Sequence, residues 1–338
     1  MSMSMFDEII DNKKLKVWTK TISIHSEDRD VSKYKDASRF TVHIPDPIKN
    51  VTSIRVKDVI LPKHFSYSDK YHNTNIGIST NLTTEWITIE NGYYNTTSMI
   101  DQLELKINHY FEDKKIDVSF TLHENTFDNR LHFVVSGNNP NDLSFHLQFQ
   151  DSSSTSNHLD LNAFWGLGYH LGFEKKYDNS GNIEKKSSKI IDSDSKIILY
   201  NDKLKDNKLT FLNANNINIH GHDKLHVITS DFMHKIYGKR AIYMELDGFN
   251  SIDEIDPISA RAQFYKPNSS IAKLQLSILN TEEDDTRIEQ DFLSNKTVFK
   301  TPIERLDRCS FQFRFHDGTL VDFAGNELSF SLEIEYIE

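Results

Sequence analysis

The chain has 338 residues, of which 37% are hydrophobic and 26% are charged, so it holds enough apolar sequence for one large β domain or two smaller ones. Its formal net charge is −11, which argues against a general nucleic-acid binder because such proteins present a basic surface. The single cysteine, Cys309, cannot build a disulfide framework, and Met1–Asn12 has no apolar signal-peptide core, so we expect a buried reduced thiol and no secretion through an oxidising compartment.

The first predicted element is an N-terminal arm, residues 1–17. Three apolar residues in it can form one turn of helix that docks on a neighbouring molecule, and three lysines can meet acidic partners or a membrane surface. These six residues are the candidate partner-binding residues: Phe6, Ile9, Ile10, Lys13, Lys14 and Lys16.

After the arm, apolar and polar residues alternate with the period of two that is typical of half-buried strands. Proline residues are expected to stop the second strand, because they cannot donate to a ladder. The predicted strands of this part are Trp18–Ile24, Phe40–Ile44 up to Pro45-Asp46-Pro47, Val51–Pro62 with a bulge, Ile76–Ile78 and Trp86–Ile89.

One helix is predicted clearly, over residues 96–112. Thr96 or Thr97 is expected to cap it, and an apolar stripe at helical spacing is expected to face the sheet. The stripe consists of Ile100, Leu103, Ile107 and Phe111.

Strands return after the helix, with a hairpin turn predicted at Phe127-Asp128-Asn129-Arg130. The Lys-, Ser- and Asp-rich segment Glu174–Asp194 is expected to be an exposed, mobile loop, and Asn280–Gln290 an acidic loop. The remaining predicted strands are 116–122, 131–135, 143–149, 196–200, 209–212, 217–219, 225–228, 241–246, 258–264, 271–279 and 297–299.

The last thirty residues carry the sharpest alternation. Phe311, Phe313 and Phe315 alternate with polar residues, and the turn Asp317-Gly318 follows. A last strand then alternates through Leu328, Phe330, Leu332, Ile334 and Tyr336, and it must pair with other strands to bury that face. With about fifteen strands and one helix, the chain is predicted to be all-β and antiparallel, a sandwich or a barrel.

The sequence contains no phosphate-binding loop, dinucleotide fingerprint, nucleophile elbow or H-E-x-x-H motif, so no cofactor and no catalytic residue is predicted. His220-Gly221-His222 with His226, closed by Asp223 or Asp231, is the one candidate metal site, and we interpret it as a solvated loop.

Carboxylate pairs such as Asp253-Glu254 are interpreted as solvated faces rather than as acid catalysts. The aromatic pairs Tyr93-Tyr94 and Phe164-Trp165 can stack on a sugar, although aromatic residues more often fill a core.

Several stretches occur in a recognisable order along the chain: Ser23–Asp30 with its acidic-arginine turn, the proline-bounded Phe40–Pro62, Ile87–Tyr94 before the helix, the LGF element Leu171–Phe173, and the closing Leu306–Leu332. In this order they resemble the minor capsid proteins of nucleocytoplasmic large DNA viruses, the giant-virus group. The resemblance covers about residues 20–175 and 240–338.

The resemblance implies a jelly-roll-like antiparallel β-sandwich with long loops, formed by residues 18–338 with a variable insertion at about 174–235. It implies a capsid structural protein of minor capsid or penton type, located in the virion and assembled in the host cytoplasm. Its partners would be the major capsid protein, other minor capsid proteins and the internal virion membrane, with homo- or hetero-oligomers in the shell and no specific nucleic acid. One jelly roll with an insertion and two successive sandwiches both remain open, as do penton and interstitial roles.

Two other classes of protein compete with this hypothesis. A carbohydrate- or receptor-binding β-sandwich would use Phe164-Trp165 and the 174–194 loop as its contact surface. A glycoside hydrolase on the same kind of fold would need two carboxylates facing one cleft at about 5–10 Å.

Overall fold

The structure is a computed structural model. It describes residues 16–80, 84–125, 127–137, 145–149, 165–179, 183–191, 197–199, 210–212, 225–254, 268–276, 285–288 and 296–338.

Strands dominate the described residues, with one long helix, α1 (Thr96–Asp113), and one short helix, α2 (Leu167–His170). The all-β, antiparallel, jelly-roll-like class predicted from the sequence is confirmed. The strands are β1 (Val17–His25), β2 (Arg39–Pro62), β3 (Asn75–Ser79), β4 (Thr84–Thr88), β5 (Val118–Asn125), β6 (Arg130–Gly137), β7 (His146–Phe149), β8 (Lys186–Ser187), β9 (Lys189–Ile191), β10 (Ile197–Leu199), β11 (Thr210–Leu212), β12 (Leu225–Thr229), β13 (Ala241–Leu246), β14 (Ile252–Glu254), β15 (Asn268–Ser270), β16 (Ala272–Gln275), β17 (Asp285–Ile288), β18 (Lys296–Arg314) and β19 (Ser329–Ile337).

The chain divides into two compact units. The first unit is formed by Met1–Phe65 together with Lys239–Glu338, and the second unit by Ser66–Gly238. The second unit therefore interrupts the first in sequence, and the segment 174–235, predicted to be a variable insertion, falls within the second unit.

The first unit is organised around a seven-stranded sheet in the order β1-β19-β2-β18-β13-β16, with β17 also pairing with β2. Aromatic side chains from three of these strands form the centre of its core. The rings of Phe311 and Phe330 meet edge to face with centroids 4.8 Å apart, and Phe40 lies 5.6 Å from Phe311. Such pairs stabilise a core beyond their buried area by about 0.5–1.5 kcal/mol each.

Strand β19 confirms the alternation read from the C-terminal residues. Leu328, Phe330, Leu332 and Ile334 are buried, while the serines and glutamates between them point the other way. Because β19 pairs with β1 on one side and with β2 on the other, its apolar face is covered as the sequence required.

The prediction that prolines end the second strand is wrong, since β2 continues through Pro45 and Pro47 to Pro62. Ile48 pairs with Leu306 and His43 with Arg308, so the two inner prolines lie in a bulge opposite the single residue Asp307. A bulge suspends the ladder locally, and no hydrogen-bond donor is needed there.

The N-cap of helix α1 lies one residue before the first of the two predicted cap residues. Asn95 is the N-cap, and it forms a capping box with Ser98: the Asn95 carbonyl Oδ1 accepts from the Ser98 N–H at 2.8 Å, and Ser98 Oγ accepts from the Asn95 N–H at 3.0 Å. The Thr96 or Thr97 cap is therefore wrong. The apolar stripe is confirmed, with Leu103, Ile107 and Phe111 fully buried and Ile100 packed against them.

Polar side chains of α1 also cover the free edge of β5, which lies at the end of the sheet β5-β6-β12-β9. The side-chain amide of Asn108 makes two hydrogen bonds to the backbone of Phe120, accepting from its N–H at 2.8 Å and donating to its carbonyl at 2.9 Å. Glu104 Oε1 accepts from the N–H of Leu122 at 2.7 Å. The helix thus satisfies backbone groups that an uncovered edge would leave open.

The core of the second unit is built from α1, the sheet β5-β6-β12-β9 and a second four-stranded sheet, β4-β3-β7-β8. Trp165 lies inside it, 1% exposed, with its ring edge-on to Phe149 at 5.1 Å. Tyr94 is buried as well, whereas Tyr93 is exposed. Trp165 therefore fills the core and has no free face to stack on a sugar.

Two segments predicted as loops contain strands. Within Glu174–Asp194, β8 pairs with β7 and β9 pairs with β12, and within Asn280–Gln290, β17 pairs with β2. Neither segment is apolar enough to reveal these edge strands by its own pattern. The strands predicted at 217–219 and 258–264 lie outside the described residues, as does Phe164.

Candidate assembly surface

Of the six predicted partner-binding residues, the structure describes only Lys16. Its side chain is exposed, and its Nζ lies 3.9 Å from the centroid of the Trp18 ring, where the cation meets the negative face of the indole. Phe6, Ile9, Ile10, Lys13 and Lys14 lie outside the described residues. The six therefore stay a prediction.

Strand β1, which directly follows the arm, lies at the end of the first unit's sheet. Among the described residues it pairs with β19 alone, so the other edge of its nine residues carries backbone N–H and C=O groups with no strand beside them. Val17 and Trp18 are 56% and 39% exposed at its start. An edge of this length is a template for pairing with an extended segment of another chain.

The end of β1 is held by the acidic-arginine turn found in the sequence. Arg29 donates from Nε to the carbonyl of Tyr34 at 3.0 Å and from Nη1 to the carbonyl of Ser26 at 2.8 Å, and it also pairs with Glu327. Burial alone would raise the pKa of Glu327, but hydrogen bonds from Arg29 and Ser26 outweigh burial and hold the pKa below its usual value. The turn thus fixes the end of β1 against the segment that precedes β19.

A polar groove of about 310 Å³ opens on the first unit where β2, β18 and β13 lie side by side. Three hydroxyl groups run along it, with Tyr34 Oη 2.9 Å from Thr41 Oγ1 and Thr41 Oγ1 2.9 Å from Ser310 Oγ. Arg39, Gln312, Glu245, Asp247 and Asn250 also line the groove.

Charges along the polar groove nearly cancel. Glu245 accepts from the buried guanidinium of Arg314, while Asp247 and Arg39 contribute one charge of each sign. A ligand that fits this lining is neutral and carries both donors and acceptors.

The structure describes only part of the His220, His222 and His226 cluster, which the sequence analysis interpreted as a solvated loop. His220 and His222 lie outside the described residues, and His226 is buried, with Nδ1 3.1 Å from Ser188 Oγ. Asp231 accepts from Lys186 Nζ at 2.9 Å and from the N–H of Glu174 at 2.9 Å. In the described part of the chain, no group of three or more His, Cys, Asp or Glu side chains is arranged to hold a metal ion.

His132, in the second unit, is a buried histidine with a lowered pKa. It is 6% exposed in β6, its Nδ1 lies 2.9 Å from Thr229 Oγ1, and its Nε2 is buried with no hydrogen-bond partner among the described residues. Burial lowers its pKa to about 4, because the protonated ring would lose its hydration there. The ring is therefore neutral at pH 7.

Sequence reasoning missed three exposed apolar side chains on two neighbouring loops of the second unit, which we name the hairpin-tip patch: Phe127, Phe232 and Met233. These side chains are 84%, 51% and 57% exposed. A phenylalanine inside the predicted turn 127–130 was the one available signal, since turns rarely carry a bulky apolar residue. The loop that carries Phe232 and Met233 lies about a hundred residues later in the chain and is adjacent to this turn only in the folded protein. The contact is made by His234, whose backbone N–H donates to the carbonyl of Asn129 at 2.9 Å.

Among the described residues, no helix is both long enough and apolar enough to cross a bilayer.

The chain matches no protein-family model and no curated protein sequence. It is similar to solved structures from viruses. One is a crystal structure of the mavirus penton protein, with 12% identity and a TM-score of 0.45, over 95% of this chain and 99% of that one. Another is the Sputnik virophage determined by cryo-EM, with 8% identity and a TM-score of 0.42, over 95% of this chain and 98% of that one.

Proposed function

We propose that this protein is a viral capsid structural protein, of minor capsid or penton type, which helps to assemble and stabilise an icosahedral shell by contacting neighbouring capsid proteins. The observation that carries the proposal is the ordered resemblance to minor capsid proteins, together with the positions of the residues that bear it. These residues have structural roles in the fold. Arg29 donates hydrogen bonds within the turn after β1, the prolines of β2 lie in a bulge, and Gly172 of the LGF element has a left-handed backbone with φ +84°.

A structural role also accords with the surface of the protein. Among the described residues, no strand lies beside the outer edge of β1, and the side chains of the hairpin-tip patch are exposed and apolar; both features suit contacts with other proteins. The partners are the major capsid protein and other minor capsid proteins of the virion shell, assembled in the host cytoplasm. The acidic net charge of −11 does not favour nucleic acid as a partner.

The arm supplies further contacts in this proposal. An arm gains little on an isolated domain, because ordering it costs conformational entropy, but in a shell many weak contacts act together. Phe6, Ile9 and Ile10 dock on a neighbouring protein, while Lys13, Lys14 and Lys16 meet acidic partners or the internal virion membrane.

The experiment is incorporation into purified particles. Mass spectrometry of gradient-purified virions is expected to find the chain at a constant ratio to the major capsid protein, and its absence from virions would refute the capsid proposal. Deletion of residues 1–16 is expected to lower incorporation while leaving the thermal melting of the isolated protein unchanged. Two further variants separate the arm's contributions: replacement of its three apolar residues by serine, and replacement of its three lysines by glutamine. Wild-type incorporation of the deletion variant would leave the arm without an assembly role.

Carbohydrate binding is the second candidate function, and the polar groove favours it. Its hydroxyl, amide, carboxylate and guanidinium groups suit a neutral sugar, whose vicinal hydroxyls both donate and accept. A glycan-array signal lost in Asp247→Ala and retained in Asp253→Ala, an exposed carboxylate outside the groove, would support this function. A signal equally retained in both variants, or no signal from the wild type, would exclude the groove as a glycan site.

A further inference from the structure

The second unit exposes one tryptophan, Trp86, on the side of the sheet β4-β3-β7-β8 that faces away from its core. Ile76, Ile78 and Leu147 of this sheet belong to the core, and because side chains alternate along a strand, the residues between them point the other way. The strand register gives the residues that share this outward side, which we name the Trp86 face: Asn75, Gly77, Ser79, Thr84, Trp86, Thr88, His146 and Gln148.

The indole of Trp86 is held against the neighbouring strand. Gly77 lies opposite Trp86 in the register, and a Cβ added to Gly77 would come within 3.1 Å of Cζ3 and 3.2 Å of Cε3 of the indole. The ring therefore occupies space that a side chain at position 77 would fill, which is a use of glycine inside a strand. Trp86 is nevertheless 43% exposed, so part of the ring is anchored while the rest offers apolar surface to a ligand.

Polar side chains flank the indole on both sides along the strands. Thr84 Oγ1 lies 2.9 Å from Ser79 Oγ, and Thr88 Oγ1 donates to Asn75 Oδ1 at 2.7 Å. Each of these pairs is two residues from Trp86, about 7 Å along the strand, so the two pairs stand about 13 Å apart. A hydroxyl group has one proton and two lone pairs, so the hydroxyls retain hydrogen-bonding capacity for a ligand between the two pairs.

The eight residues of the Trp86 face include no carboxylate. His146 Nδ1 lies 2.9 Å from Ser187 Oγ, and burial, with a smaller contribution from Lys185, lowers the pKa of His146 below its usual value, so the ring is mainly neutral at pH 7. Lys185 Nζ donates to Ser79 Oγ at 3.4 Å and brings one positive charge to the border of the face. A ligand that fits these groups is neutral or carries a single negative charge.

An exposed aromatic ring between hydroxyl and amide groups matches a ligand that is apolar on one side and polar along its edge. A pyranose sugar has this form, because its C–H groups make an apolar face and its hydroxyls both donate and accept hydrogen bonds. An acyl chain or an apolar protein surface would bury the flanking polar groups without partners, which costs free energy. Nucleobases also stack on tryptophan, but the net charge of −11 opposes a polyanion.

We propose that the Trp86 face is a carbohydrate-binding site, on which one pyranose ring of an oligosaccharide packs against the indole of Trp86 and its hydroxyls bond to the two flanking polar pairs. Gly77 is a positioning residue, since its missing side chain leaves the room in which the indole lies. One ring and a few hydrogen bonds make a weak site, which becomes effective when many copies act together. The site does not depend on the capsid function, and it belongs to the second unit, whereas the polar groove belongs to the first.

The full chain probed on an array of neutral and acidic oligosaccharides, followed by calorimetric titration with the strongest array ligand, tests the site. We expect binding that Trp86→Ala weakens by roughly 10-fold, because the aromatic contact is lost. Trp18→Ala removes a tryptophan of similar exposure, 39%, from the first unit, and this matched control is expected to bind as the wild type does. Asp247→Ala, in the polar groove, is also expected to leave this binding unchanged, which distinguishes the two glycan sites.

Two further variants connect binding to the geometry of the indole. Trp86→Phe keeps a smaller ring and is expected to bind at an intermediate level. Gly77→Ala keeps every polar side chain of the Trp86 face but displaces the indole, so it is expected to weaken binding as well. Melting followed by circular dichroism checks that each variant is folded, and Trp86→Ala is expected to melt close to the wild type because the side chain is already 43% exposed.

A wild-type chain that binds no oligosaccharide on the array would overturn the proposal, as would equal affinities of the wild type and folded Trp86→Ala. Equal losses in Trp18→Ala and Trp86→Ala would likewise count against a site on this face. Flotation with neutral phosphatidylcholine vesicles that depends on Trp86, in a chain that binds no oligosaccharide, would assign the exposed indole to a lipid surface instead.

Discussion

Gly172→Ala is predicted to destabilise the protein more than an alanine at either of two other positive-φ glycines, Gly238 and Gly248. Gly172 has φ +84°, and an added Cβ would overlap the carbonyl oxygen of Phe232 and lie 3.1 Å from that of Met233. The left-handed backbone costs an L-residue about 1–2 kcal/mol, and overpacking adds about 1–3 kcal/mol. Reduced entropy of the unfolded chain returns about 0.4–1 kcal/mol. We expect a net loss of roughly 1–5 kcal/mol.

The other two glycines separate the two contributions to this loss. Gly248 has φ +82° with nothing within 4 Å of an added Cβ, so Gly248→Ala should cost only the backbone term less the entropy returned by the unfolded chain, a net loss of about 1 kcal/mol. Gly238 has φ +78°, and an added Cβ would lie 3.0 Å from both Cβ and Oγ of Ser66. The hydroxyl group can rotate away but the Cβ cannot, and neither contact is as short as the one at Gly172, so Gly238→Ala should fall between the two.

Urea unfolding followed by far-ultraviolet circular dichroism, with tryptophan fluorescence to report the second unit through Trp165, measures the three free energies. The expected order of cost is Gly172, then Gly238, then Gly248. If Gly172→Ala cost no more than Gly248→Ala, the Phe232 loop would move aside freely. The close-packing argument for Gly172 would then be refuted.

Three further results are expected. Ile107→Asp places a charge on the buried face of α1 and should lower the free energy of unfolding in urea by several kcal/mol. Leu105→Asp on the same helix, where the side chain is 64% exposed, should lower it by less than about 1 kcal/mol. Equal losses in the two variants would show that the Ile107 face of α1 is not part of the core. Asn95→Ala should cost about 1 kcal/mol by removing the capping box, and an unchanged melting temperature would contradict that role. The second unit should lose stability as pH falls from about 6.5 to about 4, because His132 binds a proton in the unfolded chain but not in the folded one, where its pKa is about 4. The loss in the free energy of unfolding approaches about 3 kcal/mol. Urea titration at each pH measures this profile, and His132→Gln should flatten it.

Local periodicity explains what the sequence predicted well. The alternation of Leu328 to Ile334 and the helical spacing of Leu103, Ile107 and Phe111 are properties of single elements, and each is matched by burial in the structure. The one error in α1 was its cap, because Asn95 and Thr96 are both good N-cap residues and only the capping-box hydrogen bonds with Ser98 distinguish them.

Long-range pairing explains what the sequence did not reveal. The proline rule failed at Pro45 and Pro47 because a register shift in the partner strand, far away along the chain, removes the need for their missing donors. The edge strands β8, β9 and β17 form in polar segments because apolar strands elsewhere offer them an open edge. The hairpin-tip patch was missed for the same reason, since its two loops are brought together only by the packing of β6 against β12.

The position of β19 has a consequence for synthesis on the ribosome. Ser53 in β2 donates to Glu335 in β19 across 282 residues of sequence, so the first two strands of the first unit are made long before their partners. The second unit, Ser66–Gly238, emerges as one continuous stretch and can fold in the meantime. During that interval the backbone groups of β1 and β2 lack their partner strands, so the first unit is expected to fold slowly because its pairing is long-range.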